Sequence, residues 1–109
     1  MGYTVNGAEL EVDDEGYLLA PDYGDETVRV IAQAEGIELS DDHWKVVQYL
    51  RDQYKEHGHT PNFRAMLKDM SEIIPGCESK TLYDLFPGGP AKQGARVAGL
   101  PKPYGKGGY

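Results

Sequence analysis

Cys77 is the side chain in this sequence best suited to covalent chemistry, since no other cysteine is present. It follows Pro75-Gly76 and precedes Ser79, at the predicted start of a short helix. Backbone N–H groups and the helix dipole at such a position lower the pKa of a thiol and favour a nucleophilic thiolate. An isolated cysteine is more commonly an inert packing or surface residue. A reactive Cys77 and an inert one both stay open on the sequence.

The histidines do not form a metal site or a catalytic pair in sequence. His57 and His59 flank Gly58 at a predicted helix C-terminus, where the helix dipole favours histidine, and no neighbouring cysteine completes a zinc pattern. His43 follows two acids at a helix start, which suits capping better than general base catalysis. Phosphate-binding glycine loops and nucleophile elbows are missing from the sequence. We expect no metal, no cofactor and no catalytic residue, with Cys77 as the alternative.

Charge is unevenly distributed along the 109 residues, although the net value is −7. Met1 to Asp42 contains twelve acids and one base, a charge of −11, and His43 to Phe86 contains six of each. Pro87 to Tyr109 contains four bases and no acid, a charge of +4. An acidic body repels phosphate backbones, whereas its basic end is attracted to an acidic surface of its own or of a partner. Nucleic acid is therefore disfavoured as a ligand.

Length and hydropathy indicate one small domain without membrane contact. No apolar run approaches the roughly 20 residues that a membrane-spanning helix needs. The N-terminal "MGYTVNGAELEVDDEG" lacks the basic flank and apolar stretch of a secretory signal. A single cysteine excludes an intramolecular disulfide and is compatible with a reducing compartment. We expect a monomer in the cytoplasm.

Turn and capping residues divide the chain into a hairpin and a series of helices. Asn6-Gly7 predicts a type I′ turn between strands at Tyr3 to Val5 and Glu9 to Val12. A first helix is predicted over 26–36, and a second from the cap Ser40 to Gly58. A third is predicted from the cap Thr60 to Pro75, with Pro61 at the first helical position. A fourth is predicted over 78–87, and residues 89–99 could form a fifth. Their apolar faces predict a core that includes Trp44, Leu50, Phe63, Leu67, Met70, Leu82 and Phe86.

The last ten residues, "LPKPYGKGGY", cannot continue a helix. Pro101 and Pro103 impose extended geometry, and three of the last five residues are glycine. We predict a mainly α (α+β) fold: a compact orthogonal helical bundle with a small N-terminal β-hairpin, formed by residues 1–99, and a mobile C-terminal arm, residues 100–109.

Several stretches together resemble the DsrC/TusE family, which comprises gamma-subunit-like proteins of dissimilatory sulfite reductase and sulfur-relay proteins of tRNA thiolation. They are "DDEGYL", "EGIELSDDHWKVVQYLRDQY", "TPNFRAMLK" and "LYDLFPGGPAKQGARVAGLPKP". The resemblance covers the whole chain. It implies a compact helical body with an N-terminal hairpin and a mobile arm that enters the active site of a protein partner.

The resemblance also places two cysteines of the family at positions that have no thiol here. The penultimate cysteine of the family arm corresponds to Lys106, and the second cysteine of sulfite-reductase-type members corresponds to Ala95. An ammonium cannot carry a persulfide, which needs a thiolate sulfur. The family's chemistry therefore cannot occur on this arm.

These observations predict a non-catalytic interaction or regulatory protein that docks its arm into a sulfur-relay or sulfite-reductase partner. The alternative is a genuine sulfur-relay, sulfurtransferase-type component or a sulfite reductase gamma-like subunit, acting structurally or through Cys77. A DNA-binding regulator is the third candidate. The predicted partner-binding residues are Lys92, Arg96, Leu100, Pro101, Lys102, Pro103 and Lys106.

Overall fold

The computed structural model of the chain describes residues 2–102, which form five α-helices and one two-stranded sheet. The elements are β1 (Gly2–Val5), β2 (Ala8–Glu11), α1 (Asp25–Ala34), α2 (Asp41–His57), α3 (Phe63–Ile73), α4 (Ser79–Leu85) and α5 (Pro90–Val97). The predicted helical body with an N-terminal hairpin is confirmed, and the possible fifth helix is present. Most of the predicted mobile arm, residues 103–109, lies outside the described residues.

The N-terminal hairpin is antiparallel and turns at Asn6-Gly7. Both residues have positive φ, 51° and 83°, as a type I′ turn requires. Val5 pairs with Ala8 across the turn. Each strand begins one residue earlier than predicted, at Gly2 and at Ala8. Val12, predicted to end the second strand, instead forms an isolated bridge with Leu18, because the chain loops back after β2.

The structure confirms the predicted capping residues of α1 and α2. Gly36 follows α1 with a φ of 74°, and Gly58 ends α2 with a φ of 77°, both in the left-handed region that favours glycine. Ser40 caps α2: its hydroxyl accepts from the backbone N–H of His43, and the His43 ring accepts from the backbone N–H of Ser40. None of the helices within residues 2–102 combines the length and apolarity that a membrane crossing requires.

The start of α3 differs from the prediction. Thr60 was expected to cap this helix and Pro61 to occupy its first turn, but α3 begins at Phe63 with Asn62 as the cap. The Asn62 side chain accepts a hydrogen bond from the backbone N–H of Ala65 at 2.9 Å. Thr60 is buried instead. Asn is at least as good a cap as Thr, so the sequence offers two acceptable starts, and α3 uses the later one.

Helix α5 lies at the centre of the body and packs against α1, α2, α3 and α4. Gly94 lets it approach α2 closely, since a Cβ at this position would lie 3.0 Å from the Leu50 side chain. Of the predicted core residues, Leu50, Met70, Leu82 and Phe86 are fully buried. Trp44, Phe63 and Leu67 are only partly buried and pack around this core. On α3 the inward face is centred on Met66 and Met70, which are each 0% exposed.

Candidate functional site

The C-terminal segment is attached to the body through Leu100, which is 0% exposed. Its backbone N–H donates to the Ala95 carbonyl at 3.1 Å, and it belongs to the same buried cluster as Phe86. The sequence places Leu100 in the arm as a partner-binding residue, but the structure places it in the core. Burial of the apolar Leu100 side chain is favourable in free energy, so Leu100 belongs to the body. The segment available to a partner therefore begins at Pro101.

A loop before α1 holds the residue that precedes Leu100. The Asp22 backbone N–H donates to the Gly99 carbonyl at 2.8 Å. Gly99 has a φ of 81°, and a Cβ there would clash with the carbonyl oxygen of Asp22. The Asp22 carboxylate accepts from the Gly24 N–H and the Thr27 hydroxyl, each at 2.9 Å. These contacts fix the position and direction in which the chain leaves the body, and we call Asp22, Gly99 and Leu100 the arm root.

A buried arginine stabilises the loop that contacts the arm root. Arg51 on α2 is 5% exposed, and its guanidinium donates to the Asp25 carboxylate and to the Gly24 carbonyl, each at 3.0 Å. Charged groups are buried only when they are paired or hydrogen-bonded, and this pair connects α2 with the start of α1. Sequence reasoning missed Arg51, because its partners lie more than 25 residues earlier in the chain.

Arg96, a predicted partner-binding residue, forms an internal ion pair. Its guanidinium donates two hydrogen bonds to the Glu35 carboxylate, one from Nη2 at 2.9 Å and one from Nε. Gln93 donates to the same carboxylate at 2.8 Å, and the guanidinium lies 5.3 Å from the centre of the Tyr17 ring. The hydrogen bonds to Glu35 raise the pKa of Arg96. In this structure Arg96 anchors α5 to the end of α1, so its role in partner binding stays a prediction.

Of the remaining predicted binding residues, the structure describes Lys92, Pro101 and Lys102, and Lys92 lies apart from the other two. Lys92 is exposed near the start of α5, whereas Pro101 and Lys102 follow the opposite end of a helix about 12 Å long. Lys102 is exposed and pairs with Glu15, and the hydrogen bond to that carboxylate raises the pKa of Lys102. Pro103 and Lys106 lie outside the described residues.

Cys77, whose reactive and inert readings both stay open on the sequence, is buried. It is 7% exposed and belongs to the hydrophobic core, with its Sγ 3.9 Å from the Glu78 carbonyl oxygen. Burial raises the pKa of the Cys77 thiol, and the carboxylates of Asp42 and Glu78 raise it further. Desolvation disfavours the charged thiolate and opposes any stabilisation from the start of the short α4. The geometry therefore favours the inert reading of Cys77.

We predict that iodoacetamide alkylates Cys77 at pH 8 at least about tenfold more slowly in the native protein than in denaturant. At a pH below the pKa, each unit of increase in the pKa lowers the thiolate fraction about tenfold. Burial also hinders the approach of iodoacetamide to the sulfur. Because the thiolate is the reactive form, the native rate should increase as the pH rises. Mass spectrometry of the alkylated chain measures both rates, and equal rates in the two states would show that the thiol is accessible and reactive.

The ring of His43 forms hydrogen bonds within the cap of α2 and to α4. Its ring is 8% exposed, with Nδ1 accepting from the Ser40 backbone N–H at 3.0 Å and Nε2 donating to the Leu85 carbonyl at 2.8 Å. Both ring nitrogens are therefore used in holding α2 against the end of α4. The rings of His57 and His59 lie tilted by 30° with their centres 6.0 Å apart. Within residues 2–102, no three His, Cys, Asp or Glu side chains come together as metal ligands.

Family comparison agrees with the body just described. A sequence model of the family described as DsrC like protein matches residues 4–106, almost the whole chain. The chain belongs to the DsrC-like family. The match reaches Lys106, the position that the family resemblance assigns to the arm cysteine. The second such position, Ala95, is fully buried on α5.

Relatives in sequence and in structure cover nearly the full chain. The sulfurtransferase TusE homolog of Haemophilus influenzae is 45% identical over 103 residues, covering 92% of this chain and 94% of the relative. Sulfurtransferase TusE of Escherichia coli K12 is 48% identical over 101 residues, covering 89% and 92%. DsrC of Allochromatium vinosum, solved by NMR, has 40% identity and a TM-score of 0.85 and covers 96% of this chain and 98% of its own. The oxidized gamma-subunit of the dissimilatory sulfite reductase from Archaeoglobus fulgidus has 36% identity, a TM-score of 0.87 and the same coverage.

Proposed function

We propose that this member of the DsrC-like family is a non-catalytic interaction protein of sulfur metabolism. It presents its C-terminal segment to a protein partner of the sulfur-relay or sulfite-reductase type, in the cytoplasm, without carrying sulfur. One combined observation supports the proposal: hydrogen bonds hold the arm root in place, and Lys106 stands at the position of the family thiol. A rigid exit point is useful for docking whether or not the docked segment carries sulfur.

The chemistry of the chain supports docking without transfer. Sulfur transfer needs an accessible thiolate, and the sole cysteine, Cys77, is buried with a raised pKa. At the arm position Lys106 supplies a positive charge instead. A partner pocket that accepts the arm of a thiol-bearing relative could therefore be occupied by this arm, and no persulfide would be delivered. Such occupation makes the protein a competitor or sensor of the relay.

The positive charge of the C-terminal segment indicates the charge of the partner surface that it binds. Beyond the arm root the sequence carries Lys102 and Lys106 and no acid, so the complementary surface is acidic. Exposed charges interact over about 10 Å at 0.1 M salt, and complementary charge chiefly speeds association. Lys102 already pairs with Glu15, so a partner must offer a stronger acidic contact than this solvent-exposed pair.

The proposal predicts that partner binding requires residues 103–109 and the two arm lysines. The tagged full chain should capture its partner from an extract of the native cell, and mass spectrometry would identify it. With the purified partner, deleting residues 103–109 should abolish binding, and Lys102→Glu/Lys106→Glu should weaken it about tenfold. Raising the salt concentration should weaken the wild-type complex.

Lys68→Glu/Lys80→Glu is the matched control, since it makes the same change of charge at exposed positions of α3 and α4, outside the C-terminal segment, and should leave affinity within about twofold. Binding of the deletion variant at full affinity would overturn the docking proposal. It would favour the second candidate, a gamma-like subunit that acts structurally through its body, which the similarity to the gamma-subunit from Archaeoglobus fulgidus supports.

A further inference from the structure

A groove with aromatic walls lies where α3, α4 and the start of α5 meet. It has a volume of about 350 Å³ and is lined by Phe63, Tyr83, residues 87–91 and Lys92. The centres of the Phe63 and Tyr83 rings lie 5.5 Å apart, and the ring planes are inclined by 51°. Tyr83 is 48% exposed, so a large apolar surface on this face of the body is open to solvent. We call this feature the aromatic groove.

The loop that forms one wall of the aromatic groove is held in place by hydrogen bonds. Gly89 has a φ of 111°, and its N–H donates to the Phe86 carbonyl at 3.0 Å. The Gly88 N–H donates to the Gln93 side chain at 2.8 Å, and Gln93 in turn donates to the Glu35 carboxylate at 2.8 Å. Because the wall is anchored to α5 and to the end of α1, the groove exists before a ligand binds. Binding there needs little ordering of the protein, which favours affinity.

The aromatic groove carries a positive charge on a body that is acidic as a whole. Among the described residues that line it, Lys92 is charged and none is acidic. Lys92 is exposed and forms no ion pair within residues 2–102, whereas Arg96 and Lys102 each pair with a carboxylate. An unpaired ammonium beside an apolar surface complements a ligand that carries a carboxylate next to an apolar group.

The neighbouring groove, beside the end of α1 and α4, has the opposite charge. Its lining includes Glu35, Glu38 and Asp84. An acidic segment is repelled from this second groove and is accepted at the aromatic groove. The distribution of charge therefore selects one face of the body for an acidic partner.

We propose that the aromatic groove is a second docking site, which binds an extended segment of an acidic partner protein. A large apolar side chain of that segment packs against Phe63 and Tyr83, and an adjacent carboxylate pairs with Lys92. This inference rests on the proposed function, in which the partner that receives the basic C-terminal segment is acidic. The groove lies at the start of α5 and the arm root follows its end, about 12 Å away, so one partner can contact both. Two linked contacts bind more tightly than either contact alone.

The aromatic groove can be tested with a short peptide and the full-length protein, without the partner. Titrating acetyl-Gly-Phe-Asp-Gly-amide into the ¹⁵N-labelled chain should shift the backbone amide resonances of Tyr83, Gly88, Gly89 and Lys92. The dissociation constant should be on the order of 1 mM, as suits one apolar side chain and one ion pair. A peptide with Ser in place of Phe should cause no shift at these residues up to about 5 mM, and one with Lys in place of Asp should bind at least about fivefold more weakly.

Variants of the groove show which side chains bind the peptide. Tyr83→Ala removes the exposed ring and should abolish the shifts, and Lys92→Glu should weaken binding at least about fivefold. Lys68→Glu makes the same change of charge at an exposed position of α3 outside the groove and should leave the affinity within about twofold. Since Tyr83 and Lys92 are exposed, the melting temperature of each variant should stay within about 4 °C of the wild type.

The inference fails if the Phe peptide causes no shift at the groove residues up to about 5 mM, or if the Phe and Ser peptides cause equal shifts there. It also fails if the shifts are confined to residues near Lys102, which would mean that the peptide binds the basic segment instead. With the purified partner, Tyr83→Ala should weaken the complex about tenfold, and an unchanged affinity would exclude the groove from docking. Because the titration contains no partner, its outcome is independent of the docking assay. Peptide binding at the groove, combined with full partner affinity of the chain that lacks residues 103–109, would keep the groove and reject the docking role of the arm.

Discussion

Replacing Leu100 by Ala should lower the free energy of unfolding by about 2 to 5 kcal/mol. Leu100 is fully buried in the main core and contacts the end of α5 through its backbone. Removing its side chain leaves a cavity next to a helix that packs against four others, so the surroundings cannot collapse easily. For a domain of this size the melting temperature should fall by about 8 °C or more. Urea unfolding followed by circular dichroism measures the change.

Deleting residues 103–109 is the matched control for Leu100→Ala, because it removes the end of the chain without touching the arm root. Its free energy of unfolding should stay within about 1 kcal/mol of the wild type, the scale of a few exposed charge contacts. If Leu100→Ala cost less than about half a kcal/mol, the C-terminal segment would be only loosely attached. If the deletion unfolded the body, the segment would be structural and its role in docking would fail.

Replacing Lys106 by Cys should convert a chain that accepts no sulfur into one that accepts it stoichiometrically. The substitution restores a thiol at the position that the family resemblance assigns to the arm cysteine. The thiolate is the nucleophile in sulfur transfer, and a cysteine with the ordinary pKa of about 8.5 is partly ionised near neutral pH. Mass spectrometry after incubation with a persulfide donor should show one added sulfur on the C-terminal peptide and none on the peptide containing Cys77.

Lys92→Cys provides the comparison, since it places a thiol on the exposed surface of α5 away from the arm. A small persulfide donor should modify both engineered thiols, whereas a protein donor that recognises the arm should modify only Lys106→Cys. Equal modification of both variants by the protein donor would mean that the arm is not recognised. Sulfur on Cys77 in the wild type would instead restore the relay alternative.

Local interactions explain why much of the fold was predictable. Asn6-Gly7 specifies the hairpin turn, and Ser40 with Gly58 specifies both ends of α2, because each acts on backbone groups within a few residues. The family resemblance identified the helical body and the positions Ala95 and Lys106. The lack of an arm thiol, on which the proposed function depends, is a property of the sequence alone.

Only the tertiary structure decided what the buried polar and thiol groups do. Cys77 stands where local geometry favours a thiolate, yet long-range packing buries it and raises its pKa. Arg96 has the positive charge expected of a binding residue, but its guanidinium donates hydrogen bonds to Glu35, which is distant in sequence. Leu100 follows a glycine and precedes a proline, which suggests an arm, and it nevertheless completes the core. Burial and charge pairing between distant segments depend on how the whole chain packs, so turn residues and spacing could not determine them.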